Sequence, residues 1–575
     1  MTKLRWPCGC TFPIVGTEDK DNVKNVKSGD KLPLGIKLDI YANDFPLKCR
    51  ATWELIHTGR TKGVFQLEGN LGRQWSHELK PDNIEDMGAL GALLRPGCLR
   101  AMSQLEGEEK PKSMTKRYCD RKNLLESVVY IHPSLQPILQ KTQGVLVFQE
   151  QAMRLAVDLA GFNKQEADVL RKAIGKKKPE IMAALKGSFL DGCKNTGIVS
   201  KEISEEIFGW IQESQRYSFN KSHADAYGKN GYWSAFCKAH FITQFYCSWL
   251  NGAGWKGDKQ YEETYDLVND AKMFDVEVCL PSIADKRDIF YLKDNKPHFG
   301  LTSIRGIGEA SVNKVISKCT ELEGTLGKIK DWSWLDYLFC ATEFISCDVT
   351  EGMIKAGALD LFGKTRNIML YEHEIWNKLT KPTEQVWIRE NYKPAGFNSL
   401  LTALQYCQEP RVIRKKVRIG GGGCSTKKRS KVVQDLAIAL KNPPHSLEDT
   451  LDWIAWNEQK ALGVSITCSK VDGSEGAIQA NCTCKEFANK KAPNDYVKLA
   501  VEVTRVKVHK TVNGKNPGQD MAFITLEDSS CSLDDVICFP KQWKECRDAI
   551  YEGNTVLVHG ERQNNSFSIQ QVWQI

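Results

Sequence analysis

The stretch YVKLAVEVTRVKVHK (496–510) alternates apolar and polar side chains, a period of two that fits a half-buried strand and leaves no apolar stripe for a helix. From about residue 60 to 275 the periodicity is instead helical. Separate helical and strand blocks suit a chain of several domains. A length of 575 residues agrees, since it allows three to five of them, each with its own core.

The last eighty residues repeat the strand signal. MAFITLED and VICFP follow a hairpin turn at Asn513-Gly514, a helix is expected in KQWKECRDAIYE, and NTVLVHGE and SFSIQQVWQI close the series. Five strands with a helix between the third and fourth is the order of an OB-fold. Such barrels commonly hold single strands on a strand face, and some serve protein contacts only. The expected fold class is therefore multidomain α+β, with a mainly helical block, a helix-hairpin-helix block and a C-terminal β-barrel.

Within the helical block, SKEISEEIFGWIQESQ sets Ile203, Ile207, Trp210 and Ile211 on one face behind Ser200 as N-cap. A second helix opens at Asn163, with Glu166 completing a capping box and Ala167, Leu170 and Ile174 forming the buried stripe. Gly175 is expected to end it, and Pro179 to prevent its resuming. Five cations, Arg171, Lys172, Lys176, Lys177 and Lys178, crowd this end. Two would suit the helix dipole, whereas the excess reads either as a polyanion site or as a solvated basic turn.

After about residue 276, FGLTSIRGIGEASVNKVISK carries Ile304, Gly306, Ile307 and Gly308, the Gly-apolar-Gly turn of a helix-hairpin-helix. Glycines there let backbone N–H groups approach a phosphate, although a plain tight turn has the same composition. MIKAGALDLFGKTRN repeats the turn at Gly357. Further on, residues 411–431 hold nine cations, no acid and four consecutive glycines, as a flexible connector or a loose contact to nucleic-acid backbone would.

The net charge of +8 is modest for the length and fits a nucleic-acid partner without specifying one. No run of eighteen apolar residues occurs, and MTKLRWPCGCTFPIV lacks the apolar core of a signal peptide, so a soluble cytoplasmic protein is expected. Twenty scattered cysteines fit reduced thiols. The pairs Cys8/Cys10 and Cys482/Cys484 fall short of a C-x2-C knuckle, so zinc is not expected there.

Several phrases together resemble one family. TKGVFQLEG (61–69), LGALLRPGCL (90–99), GVLVFQEQAM (144–153), ADVLRKAIGKKKPE (167–180) and YSFNKSHADAY (217–227) are similar, in this order, to the fingers of bacterial C-family replicative DNA polymerases, the DNA polymerase III alpha subunits. LTSIRGIGEA, MIKAGALD, DTLDWIAWNEQKALGVSI and the barrel pattern extend the resemblance from about residue 50 to 575. It implies an N-terminal segment with a possible palm remnant (1–59), fingers (60–275), a helix-hairpin-helix duplex- and clamp-binding domain (276–365), a linker region (366–494) and an OB-fold (495–575).

The resemblance further implies DNA-directed nucleotidyl transfer in DNA replication, with dNTP as substrate. Arg171 and Lys172, supported by Lys176 and Lys177, are expected to meet the triphosphate. Asn220, Lys221, Ser222, His223, Arg95 and Gln149 are expected to line the same pocket, and Gly306, Ile307, Gly308 and Gly357 to contact DNA. The implied partners are template-primer DNA, single-stranded DNA at the barrel, and a sliding clamp, for which QDLAIAL from Gln434 is the nearest peptide, although it lacks the usual aromatic and reads rather as one turn of an amphipathic helix.

The family's chemistry uses two Mg2+ ions held by palm aspartates. The Pro-Asp-x-Asp pair, the Gly-rich phosphate loop and the PHP domain that precede the fingers in the family have no counterpart in this sequence. Asp39, between Ile36, Leu38 and Ile40, resembles the third aspartate and is the candidate metal ligand and catalytic acid; Asp19 and Asp21 lie in a polar run. The expected reading is the C-terminal half of a split polymerase, phage-encoded or from another mobile replicon, that relies on a palm- and PHP-bearing partner chain. The alternative is a non-catalytic, clamp-associated DNA-binding module.

Overall fold

The computed structural model describes residues 45–104, 108–176, 179–214, 219–408, 423–424, 426–490, 496–511, 517–563 and 566–575, with the strand segments 3–5, 11–15, 37–38, 411–413 and 416–418. The chain divides into two compact units, Met1–Phe245 and Tyr246–Ile575. Among the described residues no helix is long and apolar enough to cross a membrane.

In the first unit, strands Lys3–Arg5, Thr11–Val15 and Lys37–Leu38 form a small antiparallel sheet in which Ile14 pairs with Leu38. Helices follow: α1 (Arg50–His57), α2 (Ile84–Leu93), α3 (Gln149–Ala160), α4 (Lys164–Lys176), α5 (Pro179–Thr196), α6 (Lys201–Ser214) and α7 (Lys221–His240). Helices α3 to α6 share one apolar core that includes Leu155, Leu159, Leu170, Phe189, Phe208 and Ile211. Helices α3 and α5 approach backbone to backbone, since a Cβ on Gly192 would stand 2.2 Å from the Ala160 carbonyl oxygen. Helix α7 also lies close to α2, where a Cβ on Gly228 would stand 3.0 Å from Gly88 N.

The expected caps form. Ile203 N donates to Ser200 Oγ at 3.3 Å. Asn163 N donates to Glu166 Oε2 at 2.8 Å and Glu166 N to Asn163 Oδ1 at 3.0 Å, closing the capping box. The end of α4 differs from the expectation. The helix runs through Gly175 to Lys176, because an interior glycine costs only about 1 kcal/mol against alanine and does not by itself stop a helix. Pro179 does not block the chain either but opens α5, at a position where a missing N–H forfeits no helical bond.

The second unit contains α8 (Gln260–Met273), α9 (Glu309–Leu326), α10 (Cys347–Lys355), α11 (Arg366–Asn377), α12 (Lys427–Lys441) and α13 (Leu451–Leu462). Their centre is aromatic, with Trp334, Tyr337, Phe339 and Trp376 fully buried. Arg366 at the start of α11 is buried and ion-paired to Asp360 at 2.7 Å and to Glu458 of α13 at 3.0 Å, so one guanidinium joins two helices and a turn. The basic stretch expected as a flexible connector holds a short hairpin, Arg411–Ile413 against Lys416–Arg418.

The unit ends in the expected barrel. Strands β1 (Tyr496–Lys510), β2 (Asp520–Glu527), β3 (Ser532–Cys538), β4 (Thr555–Gln563) and β5 (Ser566–Gln574) close in the order β1-β2-β3-β5-β4, all pairs antiparallel except β3 with β5. A helix, α14 (Pro540–Cys546), spans β3 to β4 and is shorter than its sequence suggests. Alternation puts Val497, Leu499, Val501 and Val503 inside, as the period of two requires. The Asn513-Gly514 turn lies outside the described residues.

Candidate nucleic-acid interface

The segments GVLVFQEQ and FNKSH, distant in sequence, meet side by side. Phe219 N donates to the Val147 carbonyl at 3.2 Å and Gln149 N to the Phe219 carbonyl at 3.0 Å, a two-bond parallel bridge. Glu150 ties the two helix starts together, accepting from Asn220 Nδ2 at 2.8 Å and from Lys221 N at 3.0 Å. Asn220 is also the N-cap of α7, with its Oδ1 accepting from His223 N at 2.9 Å. The N-termini of α3 and α7 thus converge with their positive dipole ends, where the Glu150 carboxylate is the acceptor already in place.

Rings line this junction. The Arg95 guanidinium lies 4.1 Å over the Phe219 ring, His223 stands 5.2 Å from Phe219 and 3.9 Å from Tyr227, and Tyr227 is 5.1 Å from Phe65. Arg95, His223 and Tyr227 are exposed. The spacing Phe219, His223, Tyr227 repeats every four residues, so it was visible in the sequence as a ring on each turn of one face. The contribution of Phe65 and Tyr227 had no place in the reading of the motifs and emerges only from the fold.

Half-buried next to this face is Asp225. Burial pushes its carboxyl above the usual range, and its Oδ1 makes no hydrogen bond among the described residues.

Arg171 and Lys172 stand on α4. A three-residue connection joins α3 to α4, and the two helices pack in one apolar core through Leu155, Leu159, Leu170 and Ala173. Both cations already hold a partner: Arg171 Nη2 is 2.8 Å from Asp168 Oδ1, and Lys172 Nζ is 2.8 Å from Asp168 Oδ2. The Lys172 ammonium, and after it the Arg171 guanidinium, hold the Asp168 carboxyl below its usual range. Lys176 is the last residue of α4, and Lys177 lies outside the described residues.

In the second unit, Gly306 has φ +85° with open space around it, and Gly308 stands in extended backbone immediately before α9. Ile304 and Ile307 are buried beneath them. The turn is therefore anchored below and open above. Gly357 differs. Its φ is +77°, but a Cβ there would meet Arg366 Nη2 at 2.4 Å and Leu280 Cδ1 at 2.7 Å, which makes it an enclosed turn rather than a surface one. QDLAIAL is part of α12, with Leu436 and Ala437 buried.

The barrel carries a second ring set on its outer face. Tyr496 of β1 stacks on His559 of β4 with centroids 5.9 Å apart, Trp573 of β5 follows at 6.5 Å, and Lys498 Nζ is 6.0 Å over the Trp573 ring. Tyr496 is 57% and Trp573 43% exposed, far more than a barrel core residue, so both rings are open to solvent.

Asp39, Asp19 and Asp21 lie outside the described residues, although Asp39 directly follows the strand Lys37–Leu38. Among the described residues, one set of three or more His, Cys, Asp or Glu side chains is close enough to share an ion, and it is Cys347, Glu351 and His373 in the second unit. The described residues of the first unit therefore do not supply the carboxylate set that two magnesium ions need, and no metal-dependent step is assigned to them.

A helical unit with converging helix starts, followed by a unit that ends in a closed five-stranded barrel, defines a multidomain α+β protein. The family described as the bacterial DNA polymerase III alpha subunit finger domain matches residues 21–197. DNA polymerase III subunit alpha of Aquifex aeolicus (strain VF5) is 30% identical over 546 residues, covering 93% of this chain and 40% of that protein. The namesake proteins of Staphylococcus aureus are 28% identical over 551 residues in strain COL (95% and 44%) and 29% over 534 residues in strain Mu50 (92% and 42%). The chain is a C-family DNA polymerase alpha-like region, and it spans about two fifths of the length of the curated relatives it matches.

Proposed function

We propose that this chain is a component of a DNA-directed DNA polymerase in DNA replication, and that it grips the incoming dNTP and the template-primer. The observation that carries this reading is the junction of α3 and α7. Two helix N-termini, the Arg95 and Lys221 cations and an exposed ladder of rings offer phosphate and base contacts side by side. Arg171 and Lys172 would exchange Asp168 for a triphosphate, a stronger, multidentate acceptor. Open backbone at Gly306 and Gly308 would take duplex phosphates, and the Tyr496, His559 and Trp573 face of the barrel would stack single-stranded DNA.

Phosphoryl transfer in this family requires Mg2+ on carboxylates, and the described residues do not gather them. We therefore assign the metal-holding palm to other residues, in the first place to a separate polymerase chain, which makes this one part of a split enzyme. A clamp-associated binding module without chemistry of its own is the competing reading, favoured by the same lack of a carboxylate set among the described residues.

Primer extension separates these readings. With the purified chain alone, Mg2+ and all four nucleotides, the split reading expects no incorporation, and it expects incorporation once a palm-bearing polypeptide of the family is added. Robust extension by the chain alone would overturn it and send attention to Asp39. No extension after complementation would favour the binding module.

A further inference from the structure

Two packed helices of the second unit bring four ligand-bearing side chains together. Cys347 and Glu351 are one turn apart on α10, and His373 and Asn377 are one turn apart on α11. One ligand atom from each of Cys347, Glu351 and His373 lies within 4.8 Å of the others. Cys347 Sγ donates to Glu351 Oε1 at 3.3 Å, and Asn377 Nδ2 stands 3.3 Å from Cys347 Sγ and 3.1 Å from His373 Nε2. The three hydrogen-bond separations, 3.1 to 3.3 Å, are close to the edges of a tetrahedron around an ion with bonds of about 2.0–2.3 Å, which measure about 3.3–3.8 Å, and the 4.8 Å span lets His373 close in on binding.

The surroundings suit an ion better than they suit a closed hydrogen-bond network. His373 is 1% exposed, and its Nε2 shares the Asn377 amide with Cys347 Sγ, so Nε2 is the ring nitrogen on the side of the cluster. Cys347 is exposed, which gives an ion in solution a way in. Lys355 Nζ pairs with Glu351 Oε2 at 3.3 Å and so leaves Oε1 to face the thiol.

We propose that Cys347, Glu351 and His373 form a binding site for a divalent cation of the zinc class, which staples α10 to α11. The Asn377 amide, turned over so that its oxygen faces inward, or a water molecule closes the fourth position. A thiol, an imidazole and a carboxylate select zinc or cobalt over magnesium, which prefers oxygen ligands alone. On binding, the Sγ–H bond breaks, the sulfur–metal bond forms and the proton leaves to solvent. The ion takes the place of the proton that Cys347 now shares with Glu351. The C-x-C pairs gave no sign of this site, because its ligands come from two separate helices.

The test uses the full chain, reduced and stripped of metal with a chelator, then titrated with Co2+. One equivalent should produce a thiolate-to-cobalt charge-transfer band and intense visible bands of a tetrahedral ion. Zn2+ should displace the cobalt, and Mg2+ should not. Both Cys347 and Glu351 lie at the surface, so Cys347→Ser and Glu351→Gln should fold. Cys347→Ser should abolish the charge-transfer band, and Glu351→Gln should weaken cobalt binding by about tenfold or more. Cys468→Ser, at a half-buried thiol elsewhere in the same unit, should leave the band intact. The proposal is overturned by no thiolate band in the unaltered chain, by a band that survives Cys347→Ser, or by cobalt affinity unchanged in Glu351→Gln.

Discussion

Asp168 holds both cations that the nucleotide reading needs, which makes it the most informative single residue. The pair is exposed, so water screens it and it adds little to stability. It does set what a triphosphate must displace. Asp168→Asn should therefore leave thermal stability nearly unchanged and tighten dNTP binding severalfold at low salt, as read by equilibrium titration. Arg171→Ala with Lys172→Ala should weaken nucleotide binding while sparing duplex affinity. Equal loss of duplex binding would move these cations onto the DNA backbone. At Glu384 a charge is structural instead. Burial alone would raise its carboxyl, but hydrogen bonds from Arg429 at 3.0 Å and from Thr380 N at 2.6 Å outweigh it and leave the group below its usual range. Its contribution is present at neutral pH and is lost as pH falls through the folded-state pKa. Arg429→Met should cost about 3–5 kcal/mol in chemical denaturation, since it strands a buried carboxylate.

Among elements, α3 is the frame of the site, and α5 braces it at Gly192. Gly192→Ala would drive a Cβ into the Ala160 carbonyl, and overpacking of this kind costs about 1–3 kcal/mol. A lowered melting temperature of the first unit is the expected result. The same elements show what the sequence makes legible. Helices α4 and α6 carry their own starts in Asn163 with Glu166 and in Ser200, because a cap is a local hydrogen bond between near neighbours. The barrel strands are legible because burial on one face imposes a period of two. The end of α4 is not, because a lone glycine leaves the choice between stopping and continuing to tertiary packing. The contact of Phe65 with Tyr227 and the approach of Cys347 to His373 are hidden for another reason: each joins segments that only the fold brings together. Gly306 and Gly357 look alike as glycine turns in sequence, yet one is open and the other is filled by Arg366, a difference set by a side chain on another element.

On the scale of the whole molecule, no single strong site is expected to carry DNA affinity. Small contributions from the α3–α7 junction, the Gly306–Gly308 turn and the barrel rings would add up, mostly through backbone phosphates, with stacking at the ring faces. Such binding should be indifferent to DNA sequence and should fall steeply with salt. The most direct measurement is a fluorescence anisotropy titration of a primer-template duplex with a single-stranded overhang, using the full chain over a series of salt concentrations. The account predicts tight binding at low salt, the same for unrelated sequences of the same shape and weakening linearly on logarithmic axes as salt rises. Failure to bind at low salt, or an affinity insensitive to salt, would contradict it.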